Sequence, residues 1–359
     1  MSRGPSLRFV GLRMQVRIAT RAIGWLVIVV ATMALAEVLV RATGVAPQVA
    51  VIELDTAWGA FVSSPNRALR YVPNPGHHDI NASGYRDRER SATKPPGVVR
   101  VVVIGDSVAY GYCDSGQEPF PIGERFTEVA SRELGCVTGA PCTVDIVNLG
   151  VSGYDTEQEV AFFVEKGLRL GPDVVVVAFS LNDFGEAARE IESFREQQGW
   201  PLLRRYSRPV VRAAIDRSAL VRLLAARLPF VEHGDPRPEL GFDRLHALAA
   251  EHGFRVVVAV FPRFDVHGTD ALSARHHDLA LQLARDRGFD TLDLRPHFAA
   301  SPAGLTSECG PEHPDRRGHE LAGRVLAAQL AKYLPAHSGG EAAIAGARLV
   351  HPPAGEDPR

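Results

Sequence analysis

The chain has 359 residues, room for roughly two domains of ordinary size. Its 45% hydrophobic and 23% charged residues describe a chain that can bury a core, which excludes wholesale disorder. A net charge of −2 gives no global reason to expect nucleic acid or a strongly charged partner.

The charge is unevenly placed. Five arginines (Arg3, Arg8, Arg13, Arg17 and Arg21) and no acid precede Glu37. Residues 22–40 read AIGWLVIVVATMALAEVLV, with Glu37 as the one charge near the far end. A transmembrane helix needs about 20 mostly apolar residues. Residues 22–41 are therefore expected to form a single membrane anchor behind a basic leader at 1–21. Two readings compete with it. Ala34-Leu35-Ala36 has the small-x-small form of a signal-peptide cleavage site, and a buried core helix would also be apolar. In both export readings the arginines keep the N-terminus cytoplasmic. The remainder is then expected outside the cytoplasm, in the periplasm.

Residues 42–98 are rich in Pro, Asn and Gly and are expected to form a lead-in with little regular structure. The run at 100–104 (RVVVI) is continuous and β-branched, the pattern of a strand buried on both faces. Further strands are expected at 144–147, 173–179, 255–261 and 291–294. Helical spacing recurs at 124–134, 156–168, 240–252, 271–287 and 318–333, with Asp155 as N-cap of the second of these. The alternation predicts an α/β fold: a three-layer α/β/α sandwich around a five-stranded parallel sheet. Residues 99–335 form the expected domain, and the Gly-, Ala- and Pro-rich tail at 336–359 is expected to be disordered. Residues 184–238 interrupt the alternation. Helical spacing at 209–228 carries Arg212, Arg217, Arg222 and Arg227, which reads either as a solvated face or as a lid over the site.

No C-x-x-C occurs among Cys113, Cys136, Cys142 and Cys309, so zinc is not indicated. An oxidising compartment makes pairing plausible: Cys136 with Cys142, and Cys113 with Cys309. Four unrelated buried thiols are the alternative. His77, His78, His276 and His277 have no carboxylate at metal-ligand spacing and read as surface residues. His319 reads as packing or capping the last helix. With no H-E-x-x-H and no phosphate-binding glycine loop, neither metal nor cofactor is expected.

Ser107 directly follows the first buried strand, where polar residues of a parallel sheet face the functional crevice. Serine needs a base to act as a nucleophile. Three further segments stand at corresponding places. Asn148-Leu149-Gly150-Val151-Ser152-Gly153 follows the second strand, and Ser180-Leu181-Asn182-Asp183 follows the third. His313 precedes the last helix. Glycine lets a backbone N–H approach a substrate, and an asparagine amide can donate to a developing oxyanion.

Gly105-Asp106-Ser107, then Gly153, then Asn182-Asp183, then His313 resembles the SGNH or GDSL hydrolases over roughly residues 99–335. Asn81-Ala82-Ser83-Gly84-Tyr85-Arg86-Asp87 is similar to the segment before the first strand in anchored bacterial members. The resemblance implies a flavodoxin-like fold and Ser107 as nucleophile, with His313 as general base. The oxyanion donors would be the Ser107 and Gly153 backbone N–H groups and the Asn182 side chain. Two departures stand out. Ser180 occupies a position that is usually glycine, and Gly310 one that usually holds the Asp supporting the histidine. Glu308, Glu312 or a backbone carbonyl are the candidate replacements.

The expected activity is ester hydrolysis through a Ser107 acyl-enzyme. The acyl group, such as O-acetyl, would be carried by a small molecule, a lipid or an envelope glycan. One alternative is acyl transfer to a glycan, drawing on a membrane partner as donor. The other is a degenerate domain that binds glycan or scaffolds.

Overall fold

The computed structural model describes residues 7–46, 60–113 (apart from 67, 70 and 78), 119–135, 143–184, 214–225 (apart from 215 and 216), 236–263, 271–301, 309 and 313–334. The first described element is α1 (Leu7–Thr43), in which Arg8, Arg13, Arg17 and Arg21 share one helix with the apolar run. Its Thr20–Thr43 stretch has a mean hydropathy of 2.4 and no buried residue. Trp25, Leu26 and Leu35 are exposed, so the apolar surface is not spent on the core. The helix is long and apolar enough to cross a membrane; a signal sequence has the same features.

The five expected strands form β3 (Val99–Gly105), β4 (Val144–Asn148), β5 (Val174–Phe179), β6 (Arg255–Val260) and β7 (Asp290–Asp293), after a short antiparallel ribbon of β1 (Phe61–Ser63) and β2 (Tyr71–Pro73). The five are all parallel, in the order β4-β3-β5-β6-β7. Strand order reverses at β3, which has β4 on one side and β5 on the other. That is the switch point where ligands bind in doubly wound sheets.

The valine runs explain the sandwich. With side chains alternating across the sheet, Val102, Ile104, Val175, Val177, Val256 and Val258 enter one core. They pack with α4 (Thr156–Phe162), α6 (Pro238–His252) and α7 (Ala271–Asp286). Val101, Val103, Val174, Val176 and Val257 enter the other. They pack with α3 (Phe126–Glu133) and α9 (Arg316–Leu330), beside the short α8 (Arg295–Ala299). Each fully buried side chain of this kind contributes about 1.5–3 kcal/mol. Asp155 caps α4 in a reciprocal capping box with Gln158. Beyond Phe162 that helix widens into a π turn and tightens into a 3-10 turn ending at Leu170.

The lead-in is bound to the domain, because Phe61, Tyr71 and Tyr85 sit in the first core. Tyr71 Oη donates to the Ser152 carbonyl (2.7 Å), and Tyr154 Oη donates to the Tyr71 carbonyl. Charge holds it as well. The Arg86 guanidinium, 1% exposed, donates to the carbonyls of Tyr110 (2.7 Å) and Phe120 (2.8 Å) and pairs with Asp79. Asp87 accepts from the Asn148 backbone N–H (3.1 Å), Arg90 and Arg125. Arg125 is fully buried. Burial pushes its guanidinium down to about 10, with the Asp87 charge opposing that shift, so it stays charged.

In the insertion, the described part of the expected 209–228 helix includes α5 (Ala219–Ala225), which lies against α1. Glu37 accepts from Ser218 Oγ (2.7 Å) and from the N–H groups of Ala219 and Leu220, while Arg41 donates to the Arg217 carbonyl. Arg212 and Arg227, Cys136 and Cys142, and the 336–359 tail lie outside the described residues.

His276 and His277 are not surface residues, as their helical setting suggested. Both are buried, His276 stacked on Phe184 and His277 Nε2 2.8 Å from Asp293 Oδ1. A histidine can be buried once an aromatic ring or a carboxylate takes the place of water, and sequence spacing does not report partners so far apart.

Removing one member of a buried ion pair strands its partner, at a cost of about 3–5 kcal/mol. Asp87→Ala is expected to lower stability by about that amount in urea unfolding of the detergent-solubilised chain. Asp87→Asn should lose less, since it keeps an acceptor for the Asn148 N–H.

Candidate active site

Gly105 ends β3 with no room for a side chain: a Cβ there would stand 2.8 Å from Ala109 Cβ and 3.0 Å from the Ala178 carbonyl oxygen. Asp106 follows as the N-cap of α2 (Ser107–Tyr110), its Oδ1 accepting from the Val108 N–H at 3.0 Å. Ser107 is thus the first residue of a helix, where backbone N–H groups have no intrahelical acceptor.

His313 arrives from the loop before α9, whose N-cap is Asp315. Its ring is buried, edge-on to Tyr112, and its Nε2 lies 2.8 Å from Ser107 Oγ. That distance is a hydrogen bond, the geometry a nucleophile–base pair requires. The two loops are also joined covalently by the disulfide Cys113–Cys309. One half-cystine is six residues past Ser107 and the other four before His313.

Asp106 organises the third segment. Its Oδ1 accepts from Ser180 Oγ (3.1 Å) and its Oδ2 from Asn182 Nδ2 (3.1 Å), with Ser107 Oγ 3.4 Å from the same Oδ2. Ser180, in the place usually held by glycine, therefore has a partner of its own. An amide nitrogen has two hydrogens, so the bond to Asp106 leaves Asn182 one to offer. Asp183, next in the same turn, is buried and accepts from Thr156 Oγ1 at 2.5 Å.

Ser107, Asn182 and His313 line one cavity of about 30 Å³, together with Ser180, Phe261 and Arg263. Gly153 is not in its wall. It stands in the loop after β4 with φ of +77°, the left-handed region that favours glycine. The same loop is sewn to α2 by Asn148 Nδ2 donating to the Ala109 carbonyl (2.8 Å) and by Gly150, where a Cβ would meet the Ala109 backbone at 2.7 Å. Glu308, Gly310 and Glu312 lie outside the described residues. His319 packs as a neutral ring between Phe120 and Phe126, its pKa pushed down to about 3 by burial and by the nearby Arg125 and His313 charges.

Sequence reasoning missed Asp106 as the hub and Arg263 as part of the wall. The signal for Arg263 was available, since it stands just past the C-terminal end of β6, as Ser107 does past β3. Asp106 was hidden by being read only as a letter of its motif.

A family model described as the GDSL-like Lipase/Acylhydrolase family matches residues 103–321. No curated protein matches the chain. Among solved structures, a lipase/acylhydrolase from Enterococcus faecalis is 17% identical, with a TM-score of 0.42 over 66% of this chain and 98% of that one. An acetyl xylan esterase, AlAXEase, is 13% identical, with a TM-score of 0.41 over 65% and 100%. A carbohydrate acetylesterase family member from Sinorhizobium meliloti is 14% identical, with a TM-score of 0.42 over 66% and 99%.

In the chain-entropy account, a link between residues 196 apart stabilises by at most about 5 kcal/mol. Replacing both Cys113 and Cys309 by Ser is expected to lower Tm and to loosen the Ser107–His313 pair. The check is a thermal melt beside the rate of Ser107 labelling by a phosphonate ester. Unchanged values of both would show that the loops hold their places without the link.

Proposed function

The chain belongs to the GDSL-like lipase/acylhydrolase family and is an ester-bond hydrolase, and from that premise we propose that Ser107 is its nucleophile and His313 its general base, acting on acyl esters outside the cytoplasm. The observation that carries the assignment is the 2.8 Å bond between His313 Nε2 and Ser107 Oγ inside a shared cavity.

Ser107 Oγ attacks the acyl carbon as its proton passes to His313 Nε2. The carbonyl oxygen becomes an oxyanion that accepts from the Ser107 N–H and the second amide hydrogen of Asn182; the family resemblance implies the Gly153 N–H as a third donor, from the loop beside the cavity. Such donors are worth about 10²–10³ in rate each when removed. Collapse expels the alcohol, which takes the proton from His313. Water then attacks the acyl-enzyme with His313 again as base, and the carboxylic acid leaves. Support for the imidazolium at Nδ1 falls to Glu308, Glu312 or a backbone carbonyl.

Among the described residues the cavity has room for a short acyl group such as acetyl. Residues 22–41 act as a retained single-pass anchor, with the five arginines on the cytoplasmic side. The catalytic domain then faces the periplasm, where lipids and envelope glycans carry such esters. Within the 184–238 insertion, α5 is docked on α1 through Glu37, near the end of the anchor that leads into the domain.

Detergent-solubilised full-length protein is expected to hydrolyse short-chain aryl esters. Ser107→Ala and His313→Ala should each lower kcat/KM by about 10³-fold or more. Equal rates for wild type and Ser107→Ala would sink the assignment. Acyl release that appears only with an added glycan acceptor would turn the reading from hydrolysis to transfer.

A further inference from the structure

On α4 lies a buried carboxyl group that the mechanism above does not use. Glu159, in the first turn of α4, is 2% exposed, and among the described residues neither side-chain oxygen has a hydrogen-bond donor. The charges that act on it are all negative, Asp183 first, then Asp106 and Asp155. From α6, packed on α4, the inward residues are Gly241, Phe242 and Leu245, which carry no charge; Asp243 and Arg244 are exposed and Glu239 half-exposed. Arg237 pairs with Glu157 on the outer side of α4.

An ionised Glu159 would be a buried charge facing other buried charges of the same sign, which is strongly unfavourable. The neutral acid has the opposite requirement. It holds one proton and needs only an acceptor. Thr156 and Glu159 are three apart on one helix face, and Thr156 already reaches Asp183. We propose that Glu159 is a positioning residue that stays protonated and shares its proton with the Asp183 carboxylate, thereby holding the turn that presents Asn182 to the cavity. The proposal rests on the reading of Asn182 as an oxyanion donor.

Two features support it. Burial, reinforced by the Asp183 charge, raises Glu159 well above the ordinary carboxylate range. The turn Leu181–Asp183 is closed by two backbone bonds, from the Asp183 N–H to the Ser180 carbonyl (3.2 Å) and from the Phe184 N–H to the Leu181 carbonyl (3.1 Å), and the buried Asp183 side chain is where α4 takes hold of it. Thr156 grips it from the start of α4, and Glu159 would grip it from three residues further on.

The test uses the full chain in detergent with Glu159→Gln and Glu159→Ala. Glu159→Gln keeps shape and a donor but has no proton to lose. The infrared difference between wild type and Glu159→Gln at neutral pH should contain a carboxylic-acid C=O band. The folded pKa is raised, so the native chain keeps a proton that the unfolded chain loses above about pH 4.5. Wild-type stability therefore falls, relative to Glu159→Gln, as pH rises above the unfolded value of about 4.5 towards the raised folded one. In turnover of an aryl ester, Glu159→Gln should stay within about twofold of wild type, while Glu159→Ala should lose about tenfold in kcat with KM unchanged. The Asn182 side-chain amide resonance, assigned through Asn182→Asp, should move in Glu159→Ala and hold in Glu159→Gln. Absence of the acid band, or an acid band with kcat and the Asn182 resonance untouched in Glu159→Ala, would overturn the proposal. Infrared, stability and resonance measurements need no substrate, so they decide it even where the hydrolase reading fails.

Discussion

The site is organised around the carboxylate of Asp106. It accepts from the Val108 N–H of α2, from the hydroxyl of Ser180 and from the amide of Asn182, and lies beside the Ser107 hydroxyl. These donors come from the loops after two adjacent strands, β3 and β5. A buried carboxylate is tolerated where several donors surround it, and satisfying this one fixes the distance between the two loops. The cavity between Ser107 and Asn182 exists at its observed width because a residue behind it holds both sides.

Buried charge holds the same helix as well. Arg86 holds the Tyr110 carbonyl at the end of α2, and Arg125 donates to the Arg86 carbonyl. Asp87 accepts from Arg125 and from the Asn148 N–H that begins the glycine-bearing loop. The segment before the first sheet strand is therefore part of the support of the site. This gives a physical reason for the Asn81–Asp87 motif, which composition alone marks only as a polar loop.

What the sequence discloses here depends on how locally each feature is determined. The five strands and their order of appearance are legible because β-branched runs such as 100–104 and 255–261 have one stable environment, the inside of a parallel sheet. Ser107, Asn182 and His313 are legible because each stands beside such a run or beside the start of the last helix. The burial of His276 and His277 is not legible, since their partners Phe184 and Asp293 come from other elements. Nor is Glu159: on α4 it resembles any helix-surface glutamate, and only the packing of α6 and the turn at Asp183 make it an interior group. A support for His313 is not legible either, because the position expected to hold an acid carries Gly310, and Glu308 and Glu312 lie outside the described residues.

The Cys113–Cys309 bond has a consequence for how the protein is made. A chain delivered across a membrane N-terminus first presents Cys113 long before Cys309. Through most of delivery the first thiol has no correct partner in the molecule. The link between the Ser107 and His313 loops is then among the last long-range contacts that synthesis permits. On the proposed route of export, assembly of the site is coupled to completion of the chain and to arrival in an oxidising compartment. A truncated copy would carry Ser107 without the linkage that joins its loop to that of His313.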